Sequence, residues 1–383
     1  MPIPVLLCRI DGNFGGVERH ILNLAQHMDR NRFFPIIVPI SNHGELERNA
    51  RKLDVQTEFL PMSNRFSIGS AQPVLEQIIQ KHQAGIVHTF GLRSSTLACK
   101  VTKELSIPWI VRLPNINATD YANPLRGFLS HWLNNHLIRR AEALQVISPQ
   151  LEAYVKEWRN PPRRVFMIPN GIDSTFYSKQ PSKKCRQSLG MPENSIVIGS
   201  VGRLEPIKGY DLLLYAMSKI KRDIPASQLL IIGEGKDRHG LEQSAVQLGL
   251  QDALHLPGYV ADVREALSAI DIFVCSSRSE GVPNAVLEAM ATSLPIIATR
   301  VGGMESILEN EKEGIVIPPD DRQALENALR DLLNHEGKRN KLGQNARNRV
   351  ENEFSIETMV GNVQAMYEFV LKEKNAGSQQ PGG

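Results

Sequence analysis

Short β-type apolar runs alternate with helix-period stretches along the chain, and they do so in two successive series. In the first, residues 5–10, 34–40, 85–89, 109–113 and 143–147 read as strands, and 16–28, 44–53, 73–83, 93–105 and 125–140 as helices. In the second, 196–201, 228–232, 254–256, 272–275 and 295–298 read as strands, and 209–220, 238–248, 260–269 and 285–291 as helices. Such alternation implies parallel sheets with crossover helices on both faces. The length of 383 residues exceeds what one core usually serves. The expected fold class is therefore α/β, two Rossmann-like domains facing a central cleft.

The two series are separated at Pro161-Pro-Arg-Arg-Val-Phe-Met-Ile-Pro-Asn-Gly-Ile-Asp173. Proline and glycine flank a short apolar run there, as expected of a linker. This puts an N-terminal domain over 1–168 and a C-terminal domain over 169–354. A last helix over about 355–372, opened by Ser355 with Glu357 nearby, is expected to pack back on the N-terminal domain. The tail 375–383, rich in Gly, Gln and Pro, is expected to be disordered.

Charge is unevenly spread. Residues 1–168 hold 20 Lys+Arg against 13 Asp+Glu, and the remainder 24 against 28. A basic N-terminal half suits an anionic substrate or surface, or is simply solvated. Basic residues are not gathered in one recognition element, so nucleic acid is not expected as a partner. Cys8, Cys99, Cys185 and Cys275 are far apart and form no CxxC, which argues against a disulfide framework or zinc site. No run approaches the roughly 18 apolar residues of a membrane span. The first strand begins almost at once and is interrupted by Arg9 and Asp11, so no secretory leader is expected. A cytoplasmic protein, at most at the inner face of the cell membrane, is the expectation.

Three segments carry chemistry. Glu280-Gly-Val-Pro-Asn-Ala-Val-Leu-Glu288 follows the strand 272–275 and enters a helix. It sets one carboxylate on a loop beyond a strand's carboxyl end, where open α/β sheets bind ligands, and another in the next helix. An ionised carboxylate offers only acceptors, which suits hydroxyl-rich ligands. Next, Gly202-Arg-Leu-Glu-Pro-Ile-Lys-Gly209 puts Arg203 and Lys208 in a loop before a helix. Such a pair can hold a diphosphate, the Arg through planar bidentate bonds and the Lys as a point charge. Ile231-Ile-Gly-Glu-Gly235 repeats the strand-then-glycine pattern. Third, Asp11-Gly-Asn-Phe-Gly-Gly-Val-Glu18 lets Gly15 and Gly16 bring backbone N–H groups toward an anion at a helix start, or serves only as a tight turn.

Other chemistries are excluded by what the chain lacks. The first loop is not GxGxxG, so nicotinamide dinucleotide binding is not met. No Asp-x-Asp occurs, removing the commonest short signature of a metal held on a nucleotide diphosphate. No P-loop, HExxH or GxSxG is present.

In order, GRLxxxKG, IIGEG, EGxPNxxLEAM and Pro295-Ile-Ile-Ala-Thr-Arg-Val-Gly-Gly-Met-Glu305 resemble the retaining family-4 glycosyltransferases of GT-B fold. Gly15-Gly-Val-Glu-Arg19 and Pro169-Asn-Gly-Ile-Asp173 are also similar to that family, so the resemblance covers nearly the whole chain. It implies that Glu288 bonds the nucleotide ribose, and that Glu280 with the backbone of Gly281, Val282, Pro283 and Asn284 holds the donor sugar's hydroxyls. Arg203 and Lys208 would clamp the diphosphate, with Gly233 on the neighbouring loop. Gly15 and Gly16 would approach the diphosphate from the other domain, and Tyr259 and Val260 would face the base.

Two positions depart from the family pattern. Many relatives carry a histidine after the strand that here reads Trp109-Ile-Val-Arg-Leu-Pro-Asn115, and a His-x-His where this chain has His88-Thr-Phe90. His88, Arg112 and Asn115 are therefore the acceptor-side candidates.

The implied reaction moves a sugar from a nucleotide diphosphate sugar, UDP favoured over GDP-mannose, to a saccharide or lipid-linked acceptor. No cofactor and no metal is expected, and domain closure would align the substrates. In the stretch 125–140, Arg126, Arg139 and Arg140 flank Phe128, Leu129, Trp132, Leu133 and Leu137. It reads as an ordinary core-facing helix or as a basic face for anionic membrane. Rival readings are a non-catalytic nucleotide-sugar-binding subunit, or an epimerase or hydrolase on the same fold.

Overall fold

The computed structural model describes residues 1–9, 15–39, 44–61, 68–113, 137–158, 160–162, 164–177, 183–260 and 262–377. The chain divides into two compact units, Met1–Gly171 with Ile356–Gly383, and Ile172–Ser355.

The first unit is built on seven parallel strands: β1 (Ile3–Arg9), β2 (Phe33–Pro39), β3 (Gln56–Thr57), β4 (Ile86–Phe90), β5 (Trp109–Leu113), β6 (Ala143–Val146) and β7 (Val165–Met167). Their order is β3-β2-β1-β4-β5-β6-β7. The chain moves outward from β1 to one edge, then returns to β4 on its other side. The strand order thus reverses between β1 and β4, where Val5 to Cys8 pair with Ile86 to Thr89. The central strands are largely apolar because helices cover both faces, with His88, Thr89, Arg112 and Gln145 as buried polar exceptions. The last helix, Ile356–Gly377, belongs to this unit: Val363, Met366, Tyr367 and Val370 join the core of Val5, Leu7, Ile21 and Ile37. Gln364 Oε1 accepts the Asp29 backbone N–H at 2.7 Å.

The second unit has six parallel strands: β8 (Val197–Val201), β9 (Gln228–Ile232), β10 (Leu254–His255), β11 (Ile272–Cys275), β12 (Ile296–Thr299) and β13 (Gly314–Ile317). Their order is β10-β9-β8-β11-β12-β13, so the reversal falls between β8 and β11. Ile198 and Gly199 pair with Ile272 and Phe273 there.

Two sequence expectations change. The apolar run taken for the linker's centre is β7, an edge strand of the first sheet. Flanking prolines are tolerated at an edge, and three residues give no alternation to read. The helix expected over 260–269 is Val263–Ser268, because Asp262 Oδ1 accepts the Arg264 N–H at 3.0 Å and caps it there. The last helix also runs into the supposed tail, as far as Gly377. Residues 378–383 and most of 125–140 lie outside the described residues.

Candidate functional site

In the second unit, the loops after β8 and β11 meet at the sheet's reversal point, beyond the carboxyl ends of adjacent strands. The β8 loop makes a single 3-10 turn, Pro206–Lys208, before the helix Tyr210–Asp223. Gly209 joins them at φ +64°, and a Cβ there would stand 2.1 Å from the Ser276 carbonyl oxygen. Glycine is therefore required, because the two loop backbones touch.

That contact lays Lys208 against Glu280. Lys208 Nζ donates to Glu280 Oε1 at 2.5 Å, and Ser277 Oγ donates to the same oxygen at 2.6 Å. Ser276 Oγ in turn donates to the Lys208 carbonyl at 3.0 Å. The pair is largely shielded, with the Lys208 and Glu280 side chains 19% and 12% exposed. Arg278 braces both loops. It forks onto Asp211 at 2.8 and 2.9 Å, reaches Asp320 at 2.8 Å, and donates to the Pro206 carbonyl at 2.6 Å. On the far side, Gly302 at φ +53° packs on the Glu280 carbonyl, which a Cβ would approach to 1.9 Å. Gly303 N–H donates to the Gly281 carbonyl at 2.8 Å.

Beyond Gly281, Val282 and Pro283 are buried and Asn284 opens the helix Asn284–Ala291. Glu288 lies on its second turn and is only 3% exposed. Tyr177 donates its hydroxyl to Glu288 Oε1 at 3.1 Å. Tyr177 is itself placed by Asp173, whose Oδ1 accepts from the Thr175 N–H, the Thr175 hydroxyl and the Phe176 N–H at 3.0, 2.6 and 2.9 Å. The Arg264 guanidinium stacks on Phe176, 3.7 Å from its ring centre. A shielded carboxylate aimed from a helix into a loop rim is an acceptor held ready for hydroxyl groups.

The remaining donor-side candidates surround this core. Gly233 sits at φ +143° and lies against Gly202, whose carbonyl a Cβ would meet at 2.0 Å. Tyr259 is exposed and Val260 half-buried on the loop after β10. Arg203 shares the Lys208 loop, but its exposed guanidinium pairs with Glu205 at 2.7 Å. Sequence reasoning missed Tyr177, Ser277 and Arg278. Only Tyr177 left a trace, four residues past the Pro169-Asn-Gly-Ile-Asp173 motif.

The first unit holds the other candidates. Gly15 N–H is already donated to Glu18 Oε2 at 2.9 Å, and Gly16 opens the helix Gly16–His27. His88 is fully buried, its Nδ1 2.8 Å from the Tyr367 hydroxyl. Burial, then the Arg112 charge, pushes its pKa down to about 3, so the imidazole is neutral near pH 7. Arg112 is buried and donates from Nη2 to Asn170 Oδ1 at 2.5 Å. Burial, then the Arg9 charge, brings its pKa down to about 9. Asn115 lies outside the described residues, as do Arg126, Phe128, Leu129, Trp132 and Leu133. Among the described residues no group of three or more His, Cys, Asp or Glu could hold a metal ion. No described helix is long and apolar enough to cross a membrane.

Two doubly wound parallel sheets in one chain define a GT-B architecture, and solved GT-B structures superpose on it. Anabaena HepE in complex with UDP does so with a TM-score of 0.83 at 20% identity, over 96% of this chain and 100% of that one. Family models match both halves: Glycosyltransferase Family 4 over residues 14–176 and Glycosyl transferases group 1 over 181–349. Similar curated proteins include the UDP-Gal:α-D-GlcNAc-diphosphoundecaprenol α-1,3-galactosyltransferase of Escherichia coli, 28% identical over 76% of this chain and 77% of that protein. The N-acetyl-α-D-glucosaminyl L-malate synthase of Bacillus anthracis is 25% identical over 79% of each. The chain belongs to the family-4 glycosyltransferases of GT-B fold, and it is a glycosyltransferase.

Proposed function

We propose that this enzyme transfers a sugar from a UDP-sugar to a hydroxyl of a saccharide or lipid-linked saccharide, with retention of anomeric configuration and without a metal ion. The pathway class is cell-surface polysaccharide or glycolipid biosynthesis. The observation that carries the reading is the buried Glu288, held by Tyr177 one helix away from the Lys208–Glu280 pair at the β8/β11 reversal. UDP is supported by the similar galactosyltransferase, whose name specifies UDP-Gal and a diphosphoundecaprenol-linked acceptor. The basic excess of residues 1–168 supports placing the acceptor on the first unit, and peripheral contact with an anionic membrane face.

In this reading Glu288 accepts the ribose hydroxyls, and Glu280 with the Gly281–Asn284 backbone receives those of the sugar. Lys208 and Arg203 turn to the diphosphate. As the bond from the anomeric carbon to the β-phosphate oxygen breaks, the departing diphosphate gains negative charge beside these cations. Preorganised charge of this kind is usually the largest catalytic contribution. The acceptor oxygen bonds to the anomeric carbon from the same face, and its proton passes to the departing phosphate oxygen.

The test is a panel of UDP-, GDP- and ADP-sugars without added metal, scoring thermal stabilisation and slow nucleotide release. UDP-sugars alone should respond, and Glu288→Ala and Lys208→Ala should abolish the response. A response to another nucleotide class would replace the donor assignment. None at all would sink the reading.

A further inference from the structure

The carboxyl ends of β1, β4 and β5 bring Arg9, Phe90 and Arg112 side by side at the reversal point of the first sheet. The helix Gly16–His27 adds Glu18 and His20. Arg9 and Glu18 satisfy one another: Arg9 Nε donates to Glu18 Oε1 at 2.7 Å, Arg9 Nη1 to the Phe90 carbonyl at 2.9 Å, and Glu18 Oε2 takes the Gly15 N–H. Arg112 has no such mate. It is 2% exposed; among the described residues its hydrogen-bond acceptor is the neutral Asn170 amide oxygen, its Nε and Nη1 have no hydrogen-bond partner, and the Glu18 carboxylate, already bonded to Arg9, acts on it only through its charge.

Two histidines share this deficit. His20 is 3% exposed with neither ring nitrogen bonded, and His88 leaves Nε2 unbonded. Both lie against the Phe90 ring, at centroid distances of 5.9 and 4.3 Å. When the Tyr367 hydroxyl donates to His88 Nδ1, the ring's proton resides on Nε2 and makes it a donor. Two guanidinium nitrogens of Arg112, both ring nitrogens of His20 and Nε2 of His88 thus stand unbonded around Phe90 at a ligand-binding edge of a parallel sheet. A buried guanidinium with two nitrogens unbonded, and with the nearby Glu18 carboxylate already shared with Arg9, is costly, and a further anion lowers the cost.

We infer that Arg112, His20 and His88 form a subsite for a phosphoryl group carried by the acceptor. A phosphoryl group fits because it presents up to three outward oxygens to these donors, and Arg grips phosphate through paired N–H bonds. The cations assigned to the donor diphosphate, Arg203 and Lys208, belong to the other unit. Arg112 is thereby left for the second substrate, an assignment that rests on the transferase reading.

The test is calorimetric titration of the full chain with inorganic phosphate, and separately with UDP, at constant ionic strength. Wild type, Arg112→Gln, His20→Gln and Lys208→Ala are compared. Phosphate should bind wild type and Lys208→Ala alike and weaken roughly tenfold or more in Arg112→Gln. It should weaken in His20→Gln as well, which serves if the Arg112 variant does not fold. UDP affinity should stay within about twofold in both first-unit variants. Phosphate binding that survives in the first-unit variants, or is lost only in Lys208→Ala, would overturn the subsite. UDP binding without any phosphate binding would remove the subsite and leave the transferase reading. Phosphate binding lost with Arg112 in a protein that binds no nucleotide would do the reverse.

Discussion

Replacing Lys208 by methionine separates its structural role from its chemical one. Its ammonium lies 2.5 Å from Glu280 Oε1 in a pair largely shielded from water. Removing one partner of a fully buried pair costs about 3–5 kcal/mol. Here Ser277 still donates to the same Glu280 oxygen and the carboxylate keeps some solvent, so about 1–2 kcal/mol of lost stability is expected. The loss in turnover should be larger. Removing one preorganised group that faces developing charge costs about 2.7–4 kcal/mol, a factor of roughly 100 to 1,000 in kcat. Arg203 does not make good the loss, since it is assigned to the same diphosphate in wild type and in the variant alike, and its exposed charge is better screened. The assay is nucleotide release in the presence of acceptor, run beside thermal unfolding. The double variant Lys208→Met with Glu280→Gln removes the unpaired buried charge, so stability should return while turnover does not. A single variant with lowered Tm and kcat within about threefold of wild type would reduce Lys208 to a pin between two loops.

Tyr177→Phe should raise the donor KM roughly tenfold or more with a smaller change in kcat, because a hydrogen bond to a charged group contributes about 1.5–3 kcal/mol and holds Glu288 in place; an unchanged KM contradicts the positioning role. Gly302→Ala should lower both Tm and donor affinity, since its Cβ meets the Glu280 carbonyl at 1.9 Å and φ is +53°; wild-type donor affinity would show that the Glu280 loop needs no such packing. Buried His88 takes up a proton only near pH 3, whereas the unfolded chain does so near 6.5. Its contribution is therefore intact above about pH 6.5 and is lost as pH falls from there toward 3. Denaturant unfolding at pH 7.5 and 5.0 should show about 2 kcal/mol less pH-dependent loss in His88→Gln than in wild type. Equal losses would mean that His88 is protonated in the fold.

Much of this was legible in the sequence because parallel strands buried on both faces are continuous apolar runs. β8, β9, β11 and β12 are of that kind. β3, with two residues, has no pattern to read. The helix Glu336–Glu353 escaped because it buries only Leu342, Gly343, Ala346 and Val350 among eighteen residues, too thin a stripe to stand out. The strand β13 and the helix Arg322–Asn334 were also passed over. In the site, Lys208, Glu280 and Glu288 were found from strand-loop-helix context. Their supports were not: Arg278 meets Asp211 sixty-seven positions away, and Tyr177 meets Glu288 across one hundred and eleven. Those pairings exist only once the β8 and β11 loops are folded side by side. The unbonded donors of His20 and Arg112 are likewise a property of packing, since sequence shows a buried group but not what it lacks.

The account's central claim is a UDP-sugar site centred on Glu288 and Lys208. Calorimetric titration of the full chain with UDP, GDP and ADP, in wild type and Glu288→Gln, tests it most directly. The account predicts one UDP bound per chain, at least roughly tenfold tighter than GDP or ADP, with UDP affinity weakened roughly tenfold or more in Glu288→Gln because the ribose hydroxyls lose their acceptor. Equal binding of all three nucleotides, or UDP affinity untouched by Glu288→Gln, would contradict it.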